Sequence, residues 1–210
     1  MAPSPRIDSV AERSDLVRRA LAFAREAHAG QVRWTGGQRI AFIDHPLAVA
    51  TRLAEAGFGE TAIAAALLHD TVEHADADPG ELRGNFGDQV ADLVESLTED
   101  AGIESPKGRK ADLRGRVVEA GPEARAIFAA DKAANVAVLR EAYAIEGERV
   151  DANLPAPLDD KIVVWAQDLK ALSEAEEDVP VVERFAAELA GLWDQRAAEG
   201  RSAGADASSV

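Results

Sequence analysis

The sequence contains no cysteine among its 210 residues. That absence removes disulfides, thiol nucleophiles, iron–sulfur clusters and cysteine zinc sites together, so any metal chemistry falls to histidine and carboxylate. Positive charge is scarce as well: 23 Lys and Arg stand against 38 Asp and Glu, for a formal net charge of -15. A non-specific binder of duplex nucleic acid needs a basic face that displaces counterions, and this composition argues against that class. An anionic substrate would need a local source of positive charge, such as a metal. No long hydrophobic run is present. The longest mainly apolar stretch, Thr61 to Leu68, falls far short of the roughly 20 residues that span a bilayer, so no membrane partner is expected. The stretch Met1 to Asp15 mixes proline with both charges and lacks an apolar h-region. It does not read as a secretory signal, and a cytoplasmic protein is the expectation.

Also missing is a convincing run of alternating or β-branched residues bounded by turns. Apolar residues recur instead with a helical period, which predicts an all-α fold. Leu16, Ala20, Phe23, Ala24 and Ala27 form one stripe, and Pro46 to Ala56 a second that Gly57 closes. A very apolar helix follows from Thr61 to His69 and Asp70, then one marked by Val90, Leu93, Val94 and Leu97. Between them Asp78-Pro79-Gly80-Glu81 reads as a helix start, with Asp78 as N-cap, Pro79 at N1 and Glu81 at N3. Residues 101 to 110 are polar and glycine-containing, and predict a partly basic loop. Beyond it Ile127, Ala130, Asp131, Ala134, Asn135 and Val138 line one helix, Leu158 to Leu172 another, and Val182 to Leu192 the last. At 47% hydrophobic and 29% charged, the chain suits one globular unit over residues 8–199, with a disordered Ala/Ser/Gly tail over 200–210. No synthetase-like continuation and no appended regulatory domain is expected.

All four histidines, His28, His45, His69 and His74, precede residue 75, and Asp131 interrupts the apolar stripe of a later helix. A bare carboxylate there costs several kcal/mol unless paired or bound to a cation. No lysine or arginine shares its stripe, so a metal is a reasonable partner. His45 before a proline, the His69-Asp70 pair and Asp131 are each weak signals alone; their order raises the odds. Two imidazoles and two carboxylates leave open positions on a six-coordinate ion such as Mn²⁺ or Fe²⁺. Gly57-Phe58-Gly59 superficially matches a dinucleotide loop, but no strand precedes it.

The order His, His-Asp, Asp resembles the signature of the HD superfamily of metal-dependent phosphohydrolases. Closer phrases make the chain similar to the RelA/SpoT hydrolase domain and the stand-alone small alarmone hydrolases. They are Ala24-Arg25-Glu26-Ala27-His28-Ala29-Gly30-Gln31-Val32-Arg33, Phe42-Ile43-Asp44-His45-Pro46-Leu47, Leu67-Leu68-His69-Asp70-Thr71-Val72-Glu73, Phe86-Gly87-Asp88 and Asp131-Lys132-Ala133-Ala134-Asn135. The resemblance implies a single-domain helical HD bundle in which His45, His69, Asp70 and Asp131 hold Mn²⁺, with Fe²⁺ or Zn²⁺ as alternatives. It implies that the metal acidifies a water, from a pKa of about 15.7 towards about 7, and that Glu73 orients or deprotonates it. Glu73 follows His69 by four residues, so one continued helical turn would set it beside the metal. Asn135 matches a residue shaping the nucleotide site, and Arg33 and Lys107 match basic residues near the substrate. The implied reaction is hydrolysis of guanosine 3′,5′-bis(diphosphate) or its pentaphosphate analogue at the 3′-diphosphate, giving pyrophosphate and GDP or GTP.

Four departures bear on the substrate. His74 follows Glu73 where the family usually has an acid, and three roles are open to it: facing the metal, donating a proton, or bonding a nearby carboxylate. Trp34 stands where a lysine is common; it offers a ring to stack on a base but no charge. Phe42 replaces a frequent tyrosine, and Ile162 stands where some relatives carry one. His28, in register with Leu21 and Ala24, is expected to hydrogen-bond in the core rather than to ligate. The alternatives are a phosphohydrolase acting on another nucleotide and a nucleotide-binding sensor that does not hydrolyse.

Overall fold

A computed structural model describes residues 7–35, 38–154, 156–175 and 179–206. The chain enters through α1 (Ile7–Ala11) and α2 (Asp15–Ala27), crosses a hairpin of β1 (Val32–Thr35) and β2 (Gln38–Ala41), and continues as α3 (Asp44–Glu55) and α4 (Glu60–Leu68). Short helices α5 (Thr71–Ala75) and α6 (Pro79–Phe86) lead to α7 (Asp88–Leu97), α8 (Pro106–Glu119) and the long α9 (Pro122–Glu146). A 3₁₀ segment (Gly147–Asn153) then connects to α10 (Leu158–Ser173) and α11 (Pro180–Asp206). The architecture is a mostly helical bundle, as the periodicity predicts.

Local chemistry sets the ends of these helices. Ser14 caps α2 by accepting a hydrogen bond from the Val17 amide at 3.2 Å. Asp78 does the same for α6 from Glu81 N at 2.9 Å, with Pro79 in the first turn, as the motif predicts. Helix α3 closes with a pair of bonds, Phe58 N to Leu53 O and Gly57 N to Ala54 O, that require a left-handed residue at Gly57, where φ is +82°. The glycines of Gly57-Phe58-Gly59 therefore end one helix and start the next, with no nucleotide loop among them.

At the centre, α4 is packed against α2, α3, α7 and α9. Every residue from Ala62 to Leu68 is buried, so this helix has no polar face and is stabilised by tertiary packing on all sides. Its apolar side chains each gain about 1.5–3 kcal/mol for the larger aliphatics by leaving water. The N-terminal half of α9 is similarly enclosed, with Ala124 to Ala130 all buried.

The structure departs from the sequence expectations in four places. The chain is not wholly helical: β1 and β2 pair antiparallel, Trp34 opposite Arg39 and Thr35 opposite Gln38. Two residues of the sequence, Gly36-Gly37, separate those partners, a strong hairpin signal between runs too short to show alternation. Residues 106–110 are helix rather than loop, because Ser105 caps Gly108 N at 3.2 Å and Pro106 fills the first turn. The apolar helix stops at Leu68 instead of continuing through Asp70. Finally, helical backbone persists to Asp206, past the Gly200 boundary set by composition, while residues 207–210 lie outside those described.

Candidate metal centre and substrate cleft

Three helices deliver the candidate ligands. His45 is the second residue of α3, His69 is the C-cap of α4, and Asp131 lies midway along α9. His45 and His69 are buried, and only 13% of the Asp131 side chain is exposed. Ligand atoms of these three lie within 4.8 Å of one another. His45 Nε2 is 3.0 Å from Asp131 Oδ1. Asp70, in the turn after α4, sets one carboxylate oxygen 3.5 Å from His45 Nε2 and the other 3.3 Å from His69 Nε2.

The turn at His69-Asp70 has a visible cause. Thr71 Oγ1 donates to Leu68 O at 2.7 Å, and Asp70 adopts φ -94°, ψ -4°, so the helix breaks for one step before α5 resumes. His69 Nδ1 meets Ala66 O at 2.8 Å. A carbonyl only accepts, so Nδ1 carries the proton and Nε2 keeps its lone pair. That Nε2 is buried with no hydrogen-bond partner, an orphan that a cation would satisfy. Two imidazoles and two carboxylates that face one another are a donor set for a divalent ion. The His45–His69–Asp131 cluster is capable of binding one.

Electrostatics support the same assignment. Burial pushes the His45 imidazole below its ordinary range, against the opposing pull of Asp131 and Asp70, which favours the neutral form that can ligate. Burial pushes the Asp131 carboxyl up, but the Lys132 ammonium and the His45 contact outweigh it and hold the group well below the usual carboxylate range. Lys132 Nζ is 2.7 Å from Asp131 Oδ2. No lysine shares the Asp131 stripe, but one off it supplies a partner beside any metal: the stem of Lys132 lets the ammonium fold back over the Phe128 ring, 4.4 Å from the centroid.

The cluster opens into a cleft of about 270 Å³. Of the sequence-predicted site residues, His45, His69, Asp70, Asp131, Glu73, His74, Arg33 and Asn135 all line it. Arg33 Nη2 donates to Asn135 Oδ1 at 2.7 Å, and Asn135 Nδ2 donates to Asp131 Oδ1 at 2.6 Å. This relay joins the hairpin to the cluster across 102 residues of sequence. Phe42 stacks on His28, with centroids 4.6 Å apart, and meets His45 and His74 in T-shaped contacts. His28 is buried, with Nδ1 3.0 Å from Gln31 Oε1, and stands outside the cluster.

Other expected residues are placed differently. The Glu73 carboxylate accepts a hydrogen bond from the Glu99 amide, so it ties α5 to the start of the α7–α8 connection. His74 is half exposed, and its Nε2 is 4.0 Å from Asp70 Oδ1, beyond hydrogen-bond length. Lys107 is exposed on the first turn of α8 and does not line the cleft; Lys110, one turn later, does. Trp34 has its backbone in β1, and its side chain lies outside the described residues. Lys110 and Glu99 were missed by sequence reasoning. They form an ion pair at the rim, joined by Arg109 at 3.1 Å, and neither sits in a motif that would single it out.

Comparison with known proteins agrees with this geometry. The family model described as HD domain matches residues 20–144. A guanosine-3′,5′-bis(diphosphate) 3′-pyrophosphohydrolase of Aquifex aeolicus is 34% identical over 160 residues, covering 74% of this chain and 23% of the relative. The bifunctional (p)ppGpp synthase/hydrolase SpoT of Escherichia coli is 42% identical over 82 residues, 39% of this chain and 11% of that one. The chain spans less than a quarter of the length of these relatives. Among solved structures, lmo0812 of Listeria monocytogenes superposes with a TM-score of 0.64 at 32% identity, over 69% of this chain and 96% of that one. A metazoan ortholog of SpoT shares the fold with a TM-score of 0.67 at 24% identity, over 87% and 96%. No helix among the described residues is long and apolar enough to cross a membrane. The matched span holds His45, His69, Asp70 and Asp131 in the order and place just described, and the chain belongs to the HD-domain family of metal-dependent phosphohydrolases, related to the RelA/SpoT hydrolase domain.

Proposed function

We propose that this chain hydrolyses guanosine 3′,5′-bis(diphosphate) and its pentaphosphate analogue at the 3′-diphosphate, in the cytoplasm, with Mn²⁺ held by His45, His69, Asp70 and Asp131. The observation that carries the reading is the buried cluster of His45, His69 and Asp131 in a cleft that Arg33, Lys110 and Lys132 also line. The 34% identity over 160 residues to a hydrolase of that substrate supports it. Bound divalent metal would supply Lewis acidity, neutralising phosphate charge and lowering the pKa of water to about 7. In balance, the oxygen of one water bonds to the phosphorus next to the ribose, the bond from that phosphorus to O3′ breaks, and a proton passes to O3′. The products are pyrophosphate and GDP or GTP.

The chain's own residues have separate tasks in this reading. Asn135 fixes the Asp131 carboxylate through Oδ1, while Lys132 neutralises the other oxygen and keeps the carboxylate ionised. Arg33, held by Asn135, presents its remaining guanidinium donors to the phosphates. Glu73 and His74 line the cleft as the general acid/base pair, Glu73 towards water and His74 towards the leaving oxygen. One observation favours a second reading, binding without turnover: Glu73 is engaged with the Glu99 amide. Product analysis with Mn²⁺ and guanosine tetraphosphate, beside ordinary nucleotides, separates the two. Release of pyrophosphate and GDP is expected. Tight binding with no product would replace the hydrolase by the sensor, and equal turnover of nucleotides lacking a 3′-diphosphate would move the substrate.

A further inference from the structure

Three cations line the cleft, Arg33, Lys110 and Lys132, and a fourth, Lys161, lies behind its α8 side, on α10. Two are neutralised, Lys132 by Asp131 and Lys110 by Glu99. Among the described residues, Arg33 donates to the uncharged Asn135 and pairs with no carboxylate. Lys161, on α10, has no carboxylate partner among the described residues, although it is half buried and the chain carries 38 acids. Its place follows from helical register. Lys161 precedes Asp168 by seven residues, two turns, on one face of α10, and Asp168 Oδ1 accepts from Arg114 Nη1 of α8 at 2.9 Å. That face therefore looks toward α8, the helix whose Lys110 and Leu113 line the cleft. Trp165, buried between them, seats the ammonium 5.8 Å from its ring centroid. The charges that act on Lys161 are Lys110, Lys132 and Arg33, all of like sign, and together with burial they depress its pKa. Cations gathered this way in a half-buried place repel one another until an anion joins them.

We propose that Lys161, acting with Arg33, holds an anionic group of the substrate remote from the phosphate at the His45–His69–Asp131 cluster. It thereby sets the preference for nucleotides phosphorylated at two positions. The inference rests on the reading of the cleft as a nucleotide site and adds a specificity-determining residue to it. Neither position nor spacing made Lys161 stand out in the sequence; only the fold sets it beside the other three cations.

The test is calorimetric binding of GDP and of guanosine to the metal-loaded full chain. Wild type is compared with Lys161→Met, Lys161→Arg and the control Lys170→Met. Lys170 shares the helix but is exposed and paired with Glu174. A charge-assisted contact to phosphate predicts that wild type binds GDP at least about tenfold more tightly than guanosine. Lys161→Met should shrink that gap about tenfold, Lys161→Arg should retain most of it, and Lys170→Met should leave it unchanged. Guanosine binding and the thermal midpoint of Lys161→Met should hold or rise, because a repulsive charge is gone. A gap that survives in Lys161→Met, or is absent from wild type, overturns the proposal. So does a lowered midpoint with equal losses for both ligands, which assigns Lys161 to packing. Neither ligand carries a 3′-diphosphate to hydrolyse, so failure of wild type to cleave guanosine tetraphosphate would remove the hydrolase reading and leave this result standing on its own.

Discussion

On the α4–α9 wall of the cleft each charge lies against one of opposite sign or a ligand-grade imidazole, whereas on the side where β1 lines the cleft and α10 backs α8, Arg33 and Lys161 have no carboxylate partner among the described residues. The first wall is assembled inside the core, from helices whose residues are buried on every side. The second is assembled from a two-stranded hairpin and a helix lying over the bundle. The difference separates two jobs. Internally compensated charge makes a rigid place for a cation and for bond breaking, since buried pairs keep their geometry. Uncompensated charge at a rim is a binding surface whose partner arrives from solution.

Substitutions should break the two walls in different ways, and the largest effect belongs to the first. Asp131→Ala removes a ligand oxygen and strands Lys132, so metal binding should vanish and turnover should fall about a thousandfold or more, the equivalent of several kcal/mol. Metal titration and steady-state kinetics check this, and full hydrolysis by the variant would discard the site. Leu67→Ala, in the enclosed α4, should lower unfolding free energy by about 2–5 kcal/mol, read from urea melts. Val163→Ala on the exposed side of α10 should stay within about 0.5 kcal/mol. If the two were equal, α4 would not be the frame of the cluster.

Asn135→Ala cuts the Arg33–Asn135–Asp131 relay, and should cost about 10–100-fold in metal affinity or turnover. A change confined to KM would place Asn135 with the substrate wall alone. His74→Asp restores the acid usual in the family; from a half-exposed side chain 4.0 Å from Asp70 its effect on kcat/KM should be under tenfold, about 1.4 kcal/mol. A larger gain would mean that the histidine limits cleavage and would favour the sensor reading. Smallest of all, Ser105→Ala should cost about 1 kcal/mol by uncapping α8, with kcat unchanged, because that helix brings Lys110 only to the rim.

The same division governs what the sequence could disclose. Ligands of the buried wall sit in short phrases with helical spacing, so His45, His69-Asp70 and Asp131 with Asn135 four residues on were legible before any coordinates. The stripe containing Asp131 was legible too, but its partner Lys132 was not, since a flexible stem, rather than register, decides where an ammonium goes. Glu73 lines the cleft on a helix that resumes after a break; the Thr71 hydroxyl taking the Leu68 carbonyl at that break is a local bond that periodicity cannot register. The hairpin escaped because four-residue strands carry too little alternation, leaving Gly36-Gly37 as its signal. Lys110 and Lys161 belong to no motif. Their roles come from what the fold sets around them, Glu99 eleven residues before Lys110 and the α8 face packed on α10 beside Lys161, which patterns along the chain do not encode.

The hydrogen bond from His69 to the Ala66 carbonyl fastens a metal donor to the last turn of a helix buried without a break from Ala62 to Leu68. Unfolding must therefore scatter the donor set along with the core, which makes cation binding and folding one linked equilibrium. An ion that recognises only the native chain adds about 2.7 kcal/mol of stability at a hundredfold excess over its Kd. A melting curve recorded against Mn²⁺, Fe²⁺, Zn²⁺ and chelator would consequently rank the ions by affinity with no nucleotide present, and heat would read out the occupant of the site.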